Sequence, residues 1–211
     1  MKTNGQTTDL STLLCTLQGV EVRQEQDGRV HFVADADIDA DGGYHAYHPD
    51  NKSGLDDLRN AGQPGNWYGI VTDARGRPIV QQIGDPAPGF YVSPTSYEWP
   101  QFPKDNPRRY VNAETVPFIV VEGFIRRRAK GIVLGCKARV TDTRTGRSVD
   151  AVVADMGPLL KIGELSVSAA VALGIPSSPR TGGISQHVIA YELWPGVPAV
   201  VNGVTYRLLP A

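Results

Sequence analysis

The sequence predicts a mainly β, loop-rich fold, and three observations support this prediction. The chain of 211 residues contains 23 glycines and 16 prolines, which favour turns over long helices. Short runs rich in β-branched side chains recur along its length, and several alternate between polar and apolar residues. One segment, near residue 165, has apolar residues at helical spacing. A chain of this length can bury a sizeable core without disulfides or metals.

Residues 1–19 are predicted to form an N-terminal extension, followed by a single domain over residues 20–211. The apolar residues of LSTLLCTLQ (10–18) indicate a weak helix within the extension. The segments VEVRQ (20–24) and RVHFVADADI (29–38) are joined by EQDG. Alternation on both sides of an Asp-Gly turn predicts a β-hairpin here.

The middle of the chain is predicted to be irregular, with short strands. Residues 49–66 have the composition of a loop with one short helical turn. The segment WYGIVTDARGRPIVQQ (67–82) predicts a second hairpin that turns at Arg75–Gly76. FYVSPTSY (90–97) predicts a short strand, and the proline-rich segment at 98–110 predicts a surface loop.

The C-terminal half is predicted to be rich in strands. The basic run RRRAK at residues 126–130 is expected at the exposed tip of a hairpin. Between two long strands, a turn is expected at Thr145–Gly146. The segments predicted as strands are VPFIVVEG, IVLGCKARVTDTRTGRSVDAVVADMGP, HVIAYELWPG and VTYRLL.

One helix is predicted, in the segment GELSVSAAVALGI at residues 163–175. Either Ser166 or Glu164 is expected to cap its start, and Gly174 is expected to end it.

Asp155 and Glu164 are the candidate catalytic pair. The strand ending in Asp155 is followed by Met-Gly-Pro and a glycine-containing loop that leads to Glu164, beside the predicted helix. Hydrolysis of a glycosidic bond needs two carboxyl groups in one cleft: one donates a proton, and the other activates water or attacks directly. Spacing alone leaves a structural role open, with Asp155 capping a turn and Glu164 favouring a helix start by its charge.

Residues 138–175 resemble the core of a double-psi β-barrel. TDTRTGRSVDAVVADMGP, ELSVSAAVALGI and HVIAYELW are similar to a run that recurs in RlpA-like domains, expansins and family 45 cellulases. Within that group, residues 33–195 resemble the fungal-type chitosanases of glycoside hydrolase family 75. The resembling pieces, in chain order, are DADIDADG, AYHPD, GIVTD, DPAPGFYVS, VPFIVV, VADMGP, KIGELS and YELWPG.

This resemblance implies a six-stranded double-psi β-barrel with N-terminal strand and loop extensions and one or two short helices. It also implies endo-acting, inverting hydrolysis of β-1,4-glucosamine linkages in chitosan, without a cofactor. The acidic pair of the family falls on Asp155 and Glu164. Comparison with the wider barrel group implies Glu164 as general acid and Asp155 as general base or electrostatic partner, with the reverse assignment left open. Two alternatives remain: a peptidoglycan-active hydrolase or lytic transglycosylase, and a non-catalytic carbohydrate-binding barrel.

The stretch DADIDADGGYHAYHPD raises the question of a metal site. If Asp37 opens an EF-hand loop, Asp39 and Asp41 fall on its third and fifth positions. The twelfth position is then His48, where such a loop needs a bidentate glutamate. A zinc site at His45 and His48 would have mostly carboxylates as further ligands. We therefore predict no metal, with a looser calcium site left open.

Taken with the resemblance to the chitosanases, the same stretch instead indicates a surface that binds substrate. On a strand, alternate aspartates share one face and repel one another unless a cation lies near. The ammonium groups of glucosamine would supply such a cation, and the alternative is a solvated acidic turn. The residues predicted to bind substrate are Asp37, Asp39, Asp41, Tyr44, His45, His48, Trp67 and Lys161.

Aromatic residues beside these acids could stack on sugar rings and attract cations. They are Trp67, Tyr68, Tyr44 and Tyr47. For Trp67, packing into the core within WYGIV is the favoured alternative. Lys161 could lower the pKa of Asp155 or be exposed.

The expected partner is chitosan or a chito-oligosaccharide. With a net charge of −1, no global field attracts the protein to nucleic acid, and no apolar run is long enough to span a membrane, so neither is expected as a partner. We expect a monomer, and we favour free thiols over a disulfide for Cys15 and Cys136. Secretion is expected from the family, but MKTNGQTTDLSTLL has no apolar core typical of a signal peptide, which leaves the compartment open.

Overall fold

The structure is a computed structural model that describes residues 11–157 and 160–209. In this part of the chain, two α-helices, Gly123–Arg128 (α1) and Val167–Leu173 (α2), accompany 3-10 helices at Leu58–Ala61 and Pro107–Arg109. The strands are Thr12–Leu17 (β1), Val20–Gln24 (β2), Val30–Asp39 (β3), Gly62–Gln63 (β4), Asn66–Trp67 (β5), Phe118–Val120 (β6), Cys136–Asp142 (β7), Ser148–Asp155 (β8), Glu164–Ser166 (β9), Ile184–Val201 (β10) and Val204–Tyr206 (β11).

Six strands close into a barrel in the order β3-β9-β6-β8-β7-β10, with β10 pairing back onto β3. The pairs β3–β9 and β6–β8 are parallel, and the other four pairs are antiparallel. Strands β1 and β2 extend the sheet beyond β3, and β11 extends it beyond β10. The prediction of a mainly β fold built on a six-stranded barrel is confirmed, and the mixed pairing is compatible with a double-psi arrangement.

Alternating burial along the long strands defines the interior of the barrel. In β3, Val30, Phe32, Ala34 and Ala36 are buried while their neighbours are more exposed, and β7 alternates in the same way. Phe32 stacks on Tyr191 of β10, with ring centroids 4.8 Å apart. Burial of each large apolar side chain contributes roughly 1.5–3 kcal/mol, so this interior is the main source of stability.

Helix α2 forms where the sequence predicts it. The Ser166 hydroxyl oxygen accepts a hydrogen bond from the Ala169 N–H at 3.1 Å, and Gly174 ends the helix in the left-handed conformation. Of the two predicted caps, Ser166 is the one used. Glu164 lies two residues earlier in β9, so it belongs to the barrel wall and not to the helix.

The prediction of a helix at residues 10–18 is wrong. Described residues of this segment form β1, which pairs with β2 in an antiparallel hairpin. Gln18 and Gly19 both have positive φ angles, of 49° and 81°, which suit a tight hairpin turn. Because β1 continues the sheet of the barrel, pairing with β2 overrides the weak helical pattern. Residues 1–10 lie outside the described part, and the domain boundary at residue 19 stays a prediction.

The basic run at 126–130 does not lie at a hairpin tip. Most of it belongs to α1, because the Glu122 carboxylate accepts hydrogen bonds from the N–H groups of Phe124 and Ile125 and so caps the helix. The loop that was expected at 98–110 is present, with a 3-10 helix near its end.

The segments at 67–82 and 90–97 form less regular structure than the sequence predicts. They make single β-bridges, between Thr72 and Pro78 and between Val80 and Tyr91. The turn at Arg75–Gly76 is present and is closed by a hydrogen bond from the Gly76 N–H to Asp73 O, at 2.9 Å.

Candidate active site

Four adjacent barrel strands bring Asp155, Glu164 and Asp37 to one level of the barrel. Val120 of β6 is in register with Asp155 of β8 on one side and with Glu164 of β9 on the other. Glu164 is in turn in register with Asp37 of β3. Register partners project from the same face of a sheet, and strands lie about 4.8 Å apart, so the Cα atoms of Asp155 and Glu164 are separated by roughly 9–10 Å. The two predicted catalytic carboxyl groups therefore face a common space.

That space is a cavity of about 960 Å³, which we call the acidic cleft. Its walls come from the ends of β3, β8 and β9 and from loops around residues 56–60, 94–96 and 179–182. Among the described residues, two cationic side chains line it, Lys161 and Arg180. The carboxyl-bearing residues that line it are Asp37, Asp39, Asp41, Asp56, Asp155 and Glu164.

One oxygen of the Asp155 carboxyl group is held by three donors. Oδ1 accepts hydrogen bonds from the Ser96 N–H at 2.9 Å, from the Ser96 hydroxyl, and from the Met156 N–H at 2.7 Å. The residue is only 9% exposed. Burial raises the pKa of Asp155, and these hydrogen bonds, which favour the charged form, offset part of the rise.

Glu164 shares a lysine with Asp37. The Lys161 ammonium lies 3.0 Å from Glu164 Oε1 and 3.3 Å from Asp37 Oδ2. Burial raises the pKa of Glu164, and Lys161 opposes this effect. The charges of Asp37 and Asp155 add to the rise, so the net shift of the Glu164 pKa is upward.

A sharp turn delivers Glu164 into β9. Gly163 has a φ of +87°, and a Cβ atom there would lie 2.1 Å from Asp35 Oδ1, so the position requires glycine. The Gly163 carbonyl accepts a hydrogen bond of 2.7 Å from the Asp37 N–H, which ties this turn to β3. The glycine thus places the general-acid candidate directly beside the aspartates of β3.

Asp39 and Asp41 lie where β3 ends. The Asp41 N–H donates to Asp39 Oδ1 at 2.7 Å, and Asp41 Oδ1 accepts from the Tyr47 and Ser93 hydroxyls at 2.8 and 3.3 Å. Burial raises the pKa of Asp39 well above its usual range, and the charge of Asp41 adds to this shift. Burial and the charge of Asp155 do the same to the pKa of Asp41. These carboxyl groups therefore resist simultaneous ionisation.

Asp56 and Arg180 hold together another part of the cleft lining. Asp56 Oδ1 accepts hydrogen bonds from the Asn60 amide at 2.9 Å and from the Asp57 N–H at 2.7 Å. The Arg180 guanidinium donates to the carbonyl oxygens of Asp56 at 2.7 Å and Gly54 at 3.2 Å. Two loops that are distant in sequence are thereby clamped into one wall of the cleft.

The structure brings most of the predicted site residues together and leaves four elsewhere. Those lining the acidic cleft are Asp37, Asp39, Asp41, Asp155, Lys161 and Glu164. The other four, Tyr44, His45, His48 and Trp67, are not among its lining residues.

The four remaining residues have other contacts. His45 Nδ1 lies 2.9 Å from Glu114 Oε2, and the rings of His45 and His48 both meet the edge or face of Phe90. The Tyr44 carbonyl accepts a hydrogen bond from Gln81 at 2.7 Å. Trp67 packs against a small buried cluster that includes Tyr47, Ala61 and Ile70, in line with the alternative of core packing.

Some cleft residues were not predicted from the sequence. Ser96 and Arg180 lie in irregular segments, and no local pattern links them to Asp155 or Asp56. Of the four aromatic residues named from the sequence as able to stack on sugar rings, Tyr47 and Tyr68 line the cleft, and Tyr68 is 64% exposed, whereas Tyr44 and Trp67 are not among its lining residues. The neighbouring aspartates in the sequence were a usable signal for Asp56. No sequence signal showed which of Trp67 and Tyr68 would be exposed in the cleft.

In the ranges 11–157 and 160–209, no three His, Cys, Asp or Glu side chains are grouped so that they could hold a metal ion. Cys15 and Cys136 are both free thiols. No helix in these ranges has the length and apolar character needed to cross a membrane. Searches against protein-family models and against curated proteins return no match to this chain.

Proposed function

We propose that this protein is an endo-acting, inverting glycoside hydrolase that cleaves β-1,4-glucosamine linkages in chitosan. The observation that carries the proposal is the acidic cleft, in which Asp155 and Glu164 stand at one level on strands separated by β6. Support also comes from the resemblance of residues 33–195 to the fungal-type chitosanases.

The environments of the two carboxyl groups favour different roles. Glu164 is largely buried, and its raised pKa favours the protonated form that a general acid needs. Burial raises the pKa of Asp155 as well, but the three donors on its Oδ1 offset part of that rise and favour the ionised form that a general base needs. In the proposed step, Asp155 takes a proton from water as its oxygen bonds to the anomeric carbon, and Glu164 protonates the departing oxygen.

The separation of these groups favours inversion. Inverting glycosidases hold their carboxyl groups about 6.5–9.5 Å apart, which leaves room for the attacking water, whereas retaining enzymes hold them about 5 Å apart. Asp155 and Glu164 lie on strands separated by Val120 of β6, and a Cα separation of roughly 9–10 Å suits the wider carboxyl spacing. The first product should therefore carry the opposite anomeric configuration to the bond that was cleaved.

The charge of the cleft favours a cationic polymer. Six carboxyl-bearing side chains and two cationic side chains line it in the described part of the chain. Ammonium groups of glucosamine would relieve the repulsion among Asp37, Asp39 and Asp41. The exposed ring of Tyr68 offers a face for a sugar ring beside these acids.

The test is release of reducing ends from chitosan, with the anomer of the first product followed by NMR. We expect Glu164→Gln to lower turnover by roughly 10²–10⁴-fold, because general-acid catalysis contributes about that factor and a neutral amide cannot protonate the leaving oxygen. Glu21→Gln is the matched control, since Glu21 lies on β2 outside the cleft lining and is 57% exposed. Full activity of Glu164→Gln, or a product that retains its configuration, would overturn the proposal.

The same assay separates the alternative activities. Release of reducing ends from purified cell wall, with none from chitosan, would indicate a peptidoglycan-active enzyme. Binding to chitosan without turnover of either polymer would indicate a carbohydrate-binding barrel. Chitosans of graded acetylation complete the substrate series, and loss of turnover as acetylation rises is expected if the ammonium groups are recognised.

A further inference from the structure

Ser96 is the only side chain among the described residues that donates a hydrogen bond to the Asp155 carboxyl group. Its hydroxyl and its backbone N–H both reach Oδ1, and the Met156 N–H reaches the same atom. Oδ2 accepts no hydrogen bond from the described residues, while Asp155 lines the acidic cleft. One oxygen is therefore saturated with donors, and the other remains available to a reacting molecule.

The loop that carries Ser96 is fixed on both sides of this residue. The Tyr97 N–H donates to Ala154 O at 2.8 Å, which attaches the loop to the end of β8 immediately before Asp155. The Thr95 hydroxyl donates to Tyr97 O at 2.8 Å and accepts from the Val111 N–H at 3.0 Å. Ser96 is thus presented to Asp155 by a loop with little freedom to move away.

We infer that Ser96 is a positioning residue that holds Asp155 as a carboxylate, with Oδ1 engaged and Oδ2 directed at the attacking water. This role rests on the glycosidase activity proposed above. Three donors on Oδ1 stabilise the negative charge of the ionised carboxyl group. In the reaction, the proton leaving the water would go to Oδ2, and the water oxygen would bond to the anomeric carbon while Glu164 protonates the leaving group.

Ser96→Ala removes the hydroxyl donor and leaves both backbone donors in place. A hydrogen bond to a charged carboxylate is commonly worth enough to move a pKa by about one unit, so we expect the acidic limb of kcat/KM to move up by about one pH unit. Below that limb, kcat/KM should fall roughly tenfold, and at higher pH the difference from wild type should shrink. Ser96→Thr, which keeps the hydroxyl, should restore the wild-type profile. Ser148→Ala, at the far end of β8 and exposed, is the matched control and should not move the limb.

A second measurement does not depend on the substrate. The titration of the Asp155 carboxyl carbon can be followed by ¹³C NMR in wild type and in Ser96→Ala, and its midpoint should rise by about one unit. An unchanged midpoint, or a kcat/KM limb of Ser96→Ala that coincides with that of wild type, would overturn the inference. If wild type fails to cleave chitosan, the proposed function falls, and the NMR midpoint still decides whether Ser96 holds Asp155 in its ionised form.

Discussion

At the scale of single residues, the adjacent aromatic side chains Trp67 and Tyr68 differ in exposure: Trp67 packs into a small core, and Tyr68 lines the cleft. Trp67 packs on the small cluster around Tyr47, while Tyr68 projects into the acidic cleft with 64% of its surface exposed. Its hydroxyl donates only a long hydrogen bond, of 3.3 Å, to the Arg59 carbonyl. Its ring is therefore available to a ligand, and little of the fold depends on it.

We expect Tyr68→Ala to raise KM for chitosan roughly three- to tenfold with little change in kcat, because ring stacking and cation–π contacts are worth about 1 kcal/mol. Tyr68→Phe keeps the ring and should stay close to wild type. Steady-state kinetics on the three proteins checks this expectation. Equal KM values for Tyr68→Ala and wild type would show that no sugar ring rests on this side chain.

At the scale of single elements, the three-residue strand β9 depends on Ser166. The Ser166 hydroxyl oxygen caps α2 through the Ala169 N–H at 3.1 Å and accepts from the Phe118 N–H at 3.0 Å. Its hydrogen is donated to Val116 O at 2.9 Å. This one side chain therefore joins β6, β9 and α2, the elements that hold Glu164 in place.

We expect Ser166→Ala to lower the free energy of unfolding by about 2–4 kcal/mol, because it removes a helix cap and leaves buried backbone groups without partners. Ser168→Ala, in the first turn of the same helix, should change it by less than about 0.5 kcal/mol, since the hydroxyl of Ser168 makes no hydrogen bond with the described residues. Urea denaturation of the two variants checks the difference. Equal stabilities would mean that Ser166 does not join these elements as described.

At the scale of the whole molecule, the carboxyl groups of the acidic cleft make stability depend on pH. The folded-state pKa values of Asp39 and Asp41 lie above their ordinary value of 3.8, chiefly because both groups are buried. The folded protein then binds more protons than the unfolded chain at pH values above 3.8. The stability contributed by the protonated Asp39 and Asp41 is fully present below pH 3.8. It is lost as the pH rises through their raised folded-state pKa values.

We expect Asp39→Asn to raise the free energy of unfolding at pH 7 by at least about 1 kcal/mol, because each unit of pKa elevation corresponds to about 1.4 kcal/mol. The amide oxygen can still accept the hydrogen bond of the Asp41 N–H, so the turn should survive. Asp105→Asn, on the exposed loop, is the matched control. Thermal unfolding between pH 4 and pH 8 should show a flatter decline for Asp39→Asn. A steeper decline, or lower stability at pH 7, would contradict this account.

Local sequence patterns by themselves determined the hairpin of β2 and β3 and the cap and end of α2. They also singled out Asp155 and Glu164 as two acids that flank one loop. These features depend on neighbours in the chain: alternation and an Asp-Gly turn, a Ser before apolar residues at helical spacing, and two acids flanking one loop. The same local signals failed for residues 10–18, where pairing with β2 outweighed a helical pattern.

Only the tertiary structure decided which residues share the acidic cleft. Asp37 meets Glu164 because β3 and β9 pair in parallel, and Ser96 meets Asp155 because its loop is attached to the end of β8. Such contacts arise from barrel closure between segments that are far apart in the chain, and no local periodicity encodes them. The same long-range packing places Tyr68 and not Trp67 in the cleft lining. It also brings the Arg180 guanidinium to the Asp56 carbonyl.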